Sequence, residues 1–203
     1  LDNSIQISEK DASLFLEDST GFDYIDIDPY GSPNQFLDTS LRRISRNGLL
    51  AVTATDTACL AGTYPTTCKQ KYWSTSAISP LKHEMGLRIL IRKLMLLGLH
   101  NSRALVPLLS YHYKHYYRVF FKVVKNKEKA AKLLDNLSAY VNYNNTTANF
   151  SVTKTPEEST LWCGPLYDGP LQDNEFLEKV FEKYPIKIIE QAKSYAKQNG
   201  TSL

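Results

Sequence analysis

No stretch of this 203-residue chain is apolar over the roughly 20 residues that a bilayer-spanning helix needs. The longest candidate, residues 87–99, is interrupted by Arg88, Arg92 and Lys93, which excludes it as a membrane span. Cysteine is scarce as well. Cys59, Cys68 and Cys163 are too few and too scattered for a disulfide framework, and no C-x-x-C pair exists to hold zinc. Reduced thiols, a cytoplasmic location and no metal are therefore expected. The first residues, Leu1-Asp2-Asn3-Ser4-Ile5, offer neither an initiating Met nor the basic-then-apolar pattern of a signal peptide, so the natural start is expected to lie elsewhere. There is no internal repeat, and the Asn-rich residues 142–149 read as a surface loop.

What is present suffices for a packed protein: 42% of residues are hydrophobic, enough to bury a core over one large or two small domains. The formal charge is only +3, but Lys and Arg thicken through residues 82–132 with tyrosines and histidines between them, a composition that suits an RNA partner.

Residues 5–7 read as a strand end, and 11–17 as one or two helical turns carrying Leu14 and Phe15 inward. The run 22–27 reads as a buried strand that empties into a Pro-Tyr-Gly-Ser-Pro turn. Asn34 is placed to cap a helix whose apolar residues Phe36, Leu37, Leu41 and Ile44 keep helical spacing up to Asn47-Gly48, and 49–53 supplies the next strand. Leu87, Leu90, Ile91, Leu94 and Met95 form one stripe of an amphipathic helix over 84–97, with Arg88, Arg92 and Lys93 off it. Segments 104–109 and 118–124 are β-rich and are expected to pair antiparallel at a sheet edge. The alternation predicts an α/β fold, a parallel sheet ending in an antiparallel hairpin over residues 1–124. A small α+β domain over 125–203 follows, with helices predicted at 127–141, 176–181 and 186–196 and a polar, turn-prone stretch at 142–159.

In open α/β sheets ligands bind beyond the carboxyl ends of the strands, which singles out Asp28-Pro29-Tyr30-Gly31-Ser32-Pro33. An exocyclic amine is a poor nucleophile because its lone pair is delocalised into the ring. A site that methylates one must accept its N–H bonds and turn the lone pair toward the methyl group. Asp28 and the Pro29 carbonyl have that chemistry, Asp28 can take the proton afterwards, and Tyr30 can stack on an extruded base. The alternative is a turn shaped by Pro and Gly with Asp28 as a cap. Asp26, inside a strand read as buried, requires a hydrogen-bond partner.

Asp28-Pro29-Tyr30-Gly31-Ser32-Pro33, then Phe36-Leu37-Asp38 and Thr53-Ala54-Thr55-Asp56-Thr57, resemble the tRNA guanine-N2 dimethyltransferase family, which modifies guanine 26. Adenine-N6 and glutamine methyltransferases usually carry Pro-Pro before the aromatic, whereas here a single Pro precedes Tyr30. The resemblance continues through Cys68, Tyr72, His83-Glu84, Gly86-Leu87-Arg88-Ile89-Leu90, Pro107-Leu108-Leu109-Ser110, Tyr116-Tyr117-Arg118-Val119 and Gly164-Pro165-Leu166-Tyr167-Asp168-Gly169-Pro170-Leu171. It implies the C-terminal part of a Rossmann-like methyltransferase sheet, S-adenosylmethionine as cofactor and tRNA as partner, with residues 125–203 gripping the tRNA.

The same resemblance implies that Asp11 and Ala12 meet the cofactor's adenine, and that Asp28 and Pro29 border the cofactor while contacting the amine. Tyr30, Gly31, Thr53, Thr55 and Asp56 are then expected around the base. Read alone, Asp11 is more often a helix cap, and Thr53, Thr55 and Asp56 are equally a strand end with a cap. No glycine-rich turn or ribose-binding acid precedes Asp11, so the resemblance implies that the first half of the catalytic domain lies outside this chain, which alone should bind cofactor weakly. A non-catalytic tRNA-binding fragment and an amino-methyltransferase for another base are the alternatives. His83-Glu84-Met85-Gly86-Leu87 begins like a zinc-protease motif, but Leu87 stands where the second histidine belongs, leaving Glu84 to orient a neighbour or cap the helix. Residues 111–118 mix aromatics with Lys114, His112, His115 and Arg118, suiting either base stacking or an ordinary hairpin.

Overall fold

The computed structural model describes residues 5–19 and 21–183. Residues 5–7 do not form the predicted strand: they have no ladder partner among the described residues, and Ile5 and Ile7 are each 91% exposed. Without a partner, extended backbone leaves its amides and carbonyls to water. Helix α1 (Ala12–Glu17) is started by Asp11, whose Oδ1 accepts the amides of Ser13 and Leu14 at 2.9 and 3.1 Å. Leu14 and Phe15 do not point inward; both are exposed, and Leu16 packs on the core instead. Six helical residues bury only one narrow stripe, and Leu16 occupies it.

Strand β1 (Phe22–Ile27) buries Ile25 and Ile27 and turns Tyr24 and Asp26 outward, the alternation a pleat imposes. In α2 (Asn34–Arg43) Pro33 holds the cap position and Asn34 is the first helical residue, while Leu37 and Leu41 are fully buried. The helix stops at Arg43, short of Asn47-Gly48, and Ile44 opens β2 (Ile44–Ala54). Ile44 faces the core in either conformation, so apolar spacing alone did not discriminate; pairing with Phe22 does. Asn47, at φ 64°, accompanies the offset that lets Tyr24 pair with Leu49.

After the short helices α3 (Thr57–Leu60) and α4 (Pro65–Tyr72) comes α5 (Lys82–His100). It carries the predicted apolar stripe but is not amphipathic in the expected sense, because Arg88 and Lys93 are also buried. Each charge has a substitute for water. The Arg88 Nε and Nη2 both donate to Glu84 Oε1 at 2.9 Å, and its Nη1 donates to the carbonyls of Tyr167 and Gly169 at 3.1 and 2.9 Å. The Lys93 Nζ lies 3.0 Å from the centre of the Trp73 ring; burial pushes its ammonium down to about 8, and the ring face favours the cation against that.

Strands β3 (Ala104–Tyr113) and β4 (Tyr116–Val124) form the predicted hairpin, closed more tightly than expected by Lys114-His115 with Lys114 at φ 48°. Residues 111–117 are thus mostly strand. The sheet order is β1-β2-β4-β3, with β1 parallel to β2 and the remaining pairs antiparallel.

Helix α6 (Lys127–Leu134) ends earlier than predicted, and a second sheet of order β6-β5-β7 follows, built from β5 (Ala139–Tyr143), β6 (Phe150–Thr153) and β7 (Leu161–Leu166). The polar stretch expected to be loop contains β6 because Asn142, 1% exposed, organises it. Its Nδ2 donates to Thr153 Oγ1 at 2.7 Å and its Oδ1 accepts the Glu157 amide at 2.8 Å. Helix α7 (Asn174–Lys183) contains the predicted 176–181, while the helix predicted over 186–196 lies outside the described residues. Leu137, Ala139, Val141, Cys163, Leu166 and Tyr167 share one buried cluster with Leu50, Ile89 and Phe121 of the first sheet and α5. Among the described residues no helix is long and apolar enough to cross a membrane.

Removing the Arg88 guanidinium leaves Glu84 and two carbonyls buried without their donor. Arg88→Ala should lower unfolding stability by about 3–5 kcal/mol, measured as a shift of the urea midpoint with the slope unchanged.

Candidate active site

Because β1 and β2 run parallel, their carboxyl ends reach the same edge of the sheet, and β4 enters there with Arg118 opposite Thr53 and Tyr117 opposite Ala54. Asp28 emerges at this edge exposed and without a hydrogen-bond or ion-pair partner among the described residues. Tyr30, two residues on, is 103% exposed, an unusual position for an aromatic ring in a well-packed protein. Gly31 has φ 84°, the left-handed region that a glycine enters without cost.

The loop is held from behind. The Gly31 amide donates to Thr55 Oγ1 at 2.6 Å, and the Thr55 amide donates to the Gly31 carbonyl at 2.9 Å. The Tyr72 phenol, buried at the end of α4, lies 2.6 Å from Asp56 Oδ1 and 3.1 Å from Ser32 Oγ. A phenol has one proton and a carboxylate can only accept, so Tyr72 donates to Asp56 and accepts from Ser32. Burial first, then the Asp56 charge, raises the Tyr72 pKa, so that proton stays in place. The Asp56 Oδ2 lies 3.4 Å from Lys71 Nζ and 3.5 Å from Cys59 Sγ. Burial pushes the Cys59 thiol up to about 12, so it remains a thiol. The Asn34 Nδ2 donates to the Lys71 carbonyl at 2.9 Å, tying the start of α2 to the same corner.

Asp26 has the partners its sequence position demanded, but it is not buried: its side chain is 37% exposed. Its Oδ2 accepts from Arg118 Nη2 at 2.6 Å and from the Tyr24 hydroxyl at 2.8 Å. Arg118 thus reaches across β2, where it also donates to Thr53 Oγ1, and its guanidinium lies 4.8 Å from the Phe120 ring centre. Burial works to raise the Asp26 carboxyl, yet the hydrogen bonds from Arg118 and Tyr24 outweigh it and hold the group below its ordinary 3.8.

The structure therefore gathers Asp28, Pro29, Tyr30, Gly31, Thr53, Thr55 and Asp56 at one sheet edge. Of these, Asp28 and Tyr30 carry side-chain groups that face outward without partners among the described residues; the polar groups of Thr53, Thr55 and Asp56 hold Arg118, Gly31 and Tyr72. Asp11 and Ala12 stand exposed at the start of α1, which packs on α2, with Asp11 acting as the cap. In the hairpin, Tyr113, Lys114 and His115 point outward, while His112 stacks on His83 at 3.9 Å and Tyr117 is fully buried. Glu84 orients Arg88, as its place in the helix suggested. Arg118, read from sequence as part of a segment able to stack bases, instead holds Asp26 and Thr53; Ser32 and Tyr72 stand in the quoted motifs without an individual role, and no spacing rule joins the two across forty positions.

A depressed carboxyl stabilises the fold above its unfolded pKa and loses that contribution as pH falls through the folded one. Wild-type melting temperature should drop additionally on acidification below about pH 4, and Asp26→Asn should lack that component in thermal melts taken across the same range.

A family model described as N2,N2-dimethylguanosine tRNA methyltransferase matches residues 1–198. A Thermococcus kodakarensis protein named tRNA (guanine(26)-N(2))-dimethyltransferase is 40% identical over 181 residues, covering 88% of this chain and 47% of that protein. An Aquifex aeolicus protein named tRNA (guanine(26)-N(2)/guanine(27)-N(2))-dimethyltransferase is 35% identical over 190 residues, covering 88% of this chain and 48% of its own. The chain spans about half the length of these relatives. The solved complex of Trm1 from Pyrococcus horikoshii with S-adenosyl-L-methionine superposes with a TM-score of 0.82 at 32% identity, covering 92% of this chain and 51% of that one. The α/β, Rossmann-like fold expected from sequence is thus shared with a solved structure.

Proposed function

The chain belongs to the N2,N2-dimethylguanosine tRNA methyltransferase family, and from that premise we propose that it takes part in methylating the exocyclic N2 of guanine 26 in tRNA, giving N2,N2-dimethylguanine. The observation that carries this reading is the pair Asp28 and Tyr30, a carboxylate without a partner among the described residues beside a fully exposed ring on one anchored loop. Tyr30 stacks on the guanine once it has left the RNA helix. Asp28 and the Pro29 carbonyl accept the amine's two N–H bonds, which directs the nitrogen lone pair out of the ring plane. As the N–C bond forms the nitrogen becomes acidic, and Asp28 takes the proton and returns it to water. Placement supplies most of the rate.

When bound, S-adenosylmethionine would supply the methyl carbon from its sulfonium, with a neutral thioether as leaving group. The residues present fit part of that molecule. Asp28 and Pro29 would border its methyl-bearing side, and Asp11, which caps α1 through Oδ1, would offer Oδ2 to the adenine amine beside the Ala12 amide. Residues 1–10 contain no glycine, so the turn that would hold the methionine part is not among them. Residues 125–203 serve as the tRNA grip, and the cytoplasm is the place of work.

In the full-length protein Asp28→Ala should cut methyl transfer to a tRNA transcript by roughly 10²–10⁴-fold, with circular dichroism unchanged and the product followed by nucleoside mass spectrometry. Near-normal turnover would remove Asp28 from the chemistry. Equal methylation of a transcript lacking guanine 26 would redirect the substrate assignment.

A further inference from the structure

We propose that Tyr72 is a positioning residue for the Asp28-Pro29-Tyr30-Gly31 loop, acting through Ser32, and that Asp56 anchors it instead of reading the base; this rests on the methyl-transfer reading above. The side chain of Tyr72 is completely buried, where a phenylalanine would fill the same space, so its hydroxyl is there for its two partners. One of them, Ser32, directly follows Gly31. The loop's trailing end is thereby fixed at two successive residues from two different elements, Gly31 by Thr55 after β2 and Ser32 by Tyr72 at the end of α4. Its leading end is fixed by the pairing of Ile27 with Val52. Between these points Asp28, Pro29 and Tyr30 make no side-chain hydrogen bond among the described residues, so their aim depends on the two ends.

Asp56 fits an anchor. Both of its oxygens have partners within the protein, Tyr72 on one and Lys71 with Cys59 on the other, and its side chain is 15% exposed. Loosening Tyr72 should displace Asp28 and Tyr30 relative to each other while leaving the binding surfaces in place. The expected signature is a fall in kcat with little change in KM.

The test is steady-state kinetics of the full-length protein on a tRNA transcript, with melting temperatures recorded for each variant. Tyr72→Phe and Ser32→Ala should each lower kcat by roughly ten- to a hundredfold, with KM for S-adenosylmethionine and for tRNA within about twofold of wild type. The double variant should be no worse than the poorer single one, because both remove the same link. Ser32→Ala leaves the core untouched and carries the test if Tyr72→Phe proves unstable. Asp56→Asn, which keeps an acceptor for Tyr72, should retain more kcat than Asp56→Ala. Normal kcat in folded Tyr72→Phe and Ser32→Ala overturns the positioning role. A raised KM for tRNA with unchanged kcat in Asp56→Asn overturns the anchor and restores Asp56 to the base pocket. A wild-type protein that transfers no methyl group takes the proposal down together with the functional reading, a result separate from either of these.

Discussion

The presentation of the Asp28–Tyr30 loop depends on a two-way exchange between Gly31 and Thr55. Strand pairing between β1 and β2 gives out at Ile27 and Val52, and beyond it two chain segments would ordinarily diverge. Instead the Thr55 amide reaches the Gly31 carbonyl while its hydroxyl receives the Gly31 amide, so the ladder is extended by one side chain across the loop. A left-handed Gly31 is what turns both of its backbone groups toward Thr55. With that end held, an exposed carboxylate and an exposed ring can be presented to solvent without becoming a floppy tip.

The second layer of support comes from residues that sequence reading treated as candidates for contact. Threonine hydroxyls and an aspartate at a strand's carboxyl end are chemically suited to a guanine edge, and for that reason Thr53, Thr55 and Asp56 were natural choices. The same donors and acceptors suit protein partners equally well. Thr53 meets Arg118, which in turn meets Asp26, itself bonded by Tyr24, so β1, β2 and β4 are stitched together through one guanidinium. Residue type announces polar capacity; only coordinates say where it is directed.

Much of the architecture was legible because it is written in local periodicities. The strand at 22–27, the helix through Leu37 and Leu41, the long helix and the antiparallel hairpin all follow from alternating or helical spacing bounded by turn residues. What escaped depends on distant partners. Arg88 and Lys93 look solvent-facing on a helical wheel, and become interior only because Tyr167, Gly169 and Trp73 arrive from elsewhere in the chain. Strand β6 hides in polar sequence because the buried amide of Asn142 organises it in place of a hydrophobic run, and the first residues of β5 fall within the helix predicted over 127–141. Within the site, Asp28 and Tyr30 stood out since their chemistry sits on consecutive turn residues, whereas the link from Ser32 to Tyr72 spans forty positions and leaves no periodic trace.

The continuity of the interior has a further effect. Leu137, Val141 and Leu166 pack into the same mass as the residues behind β1 and β2, and Arg88 clamps α5 to the backbone of Tyr167 and Gly169. The two sheets consequently share their fate on heating. A lesion in the smaller sheet, remote from Asp28, would be felt as a temperature-sensitive loosening of the loop, and mutational scans would return distant positions that mimic damage at the loop while never approaching it.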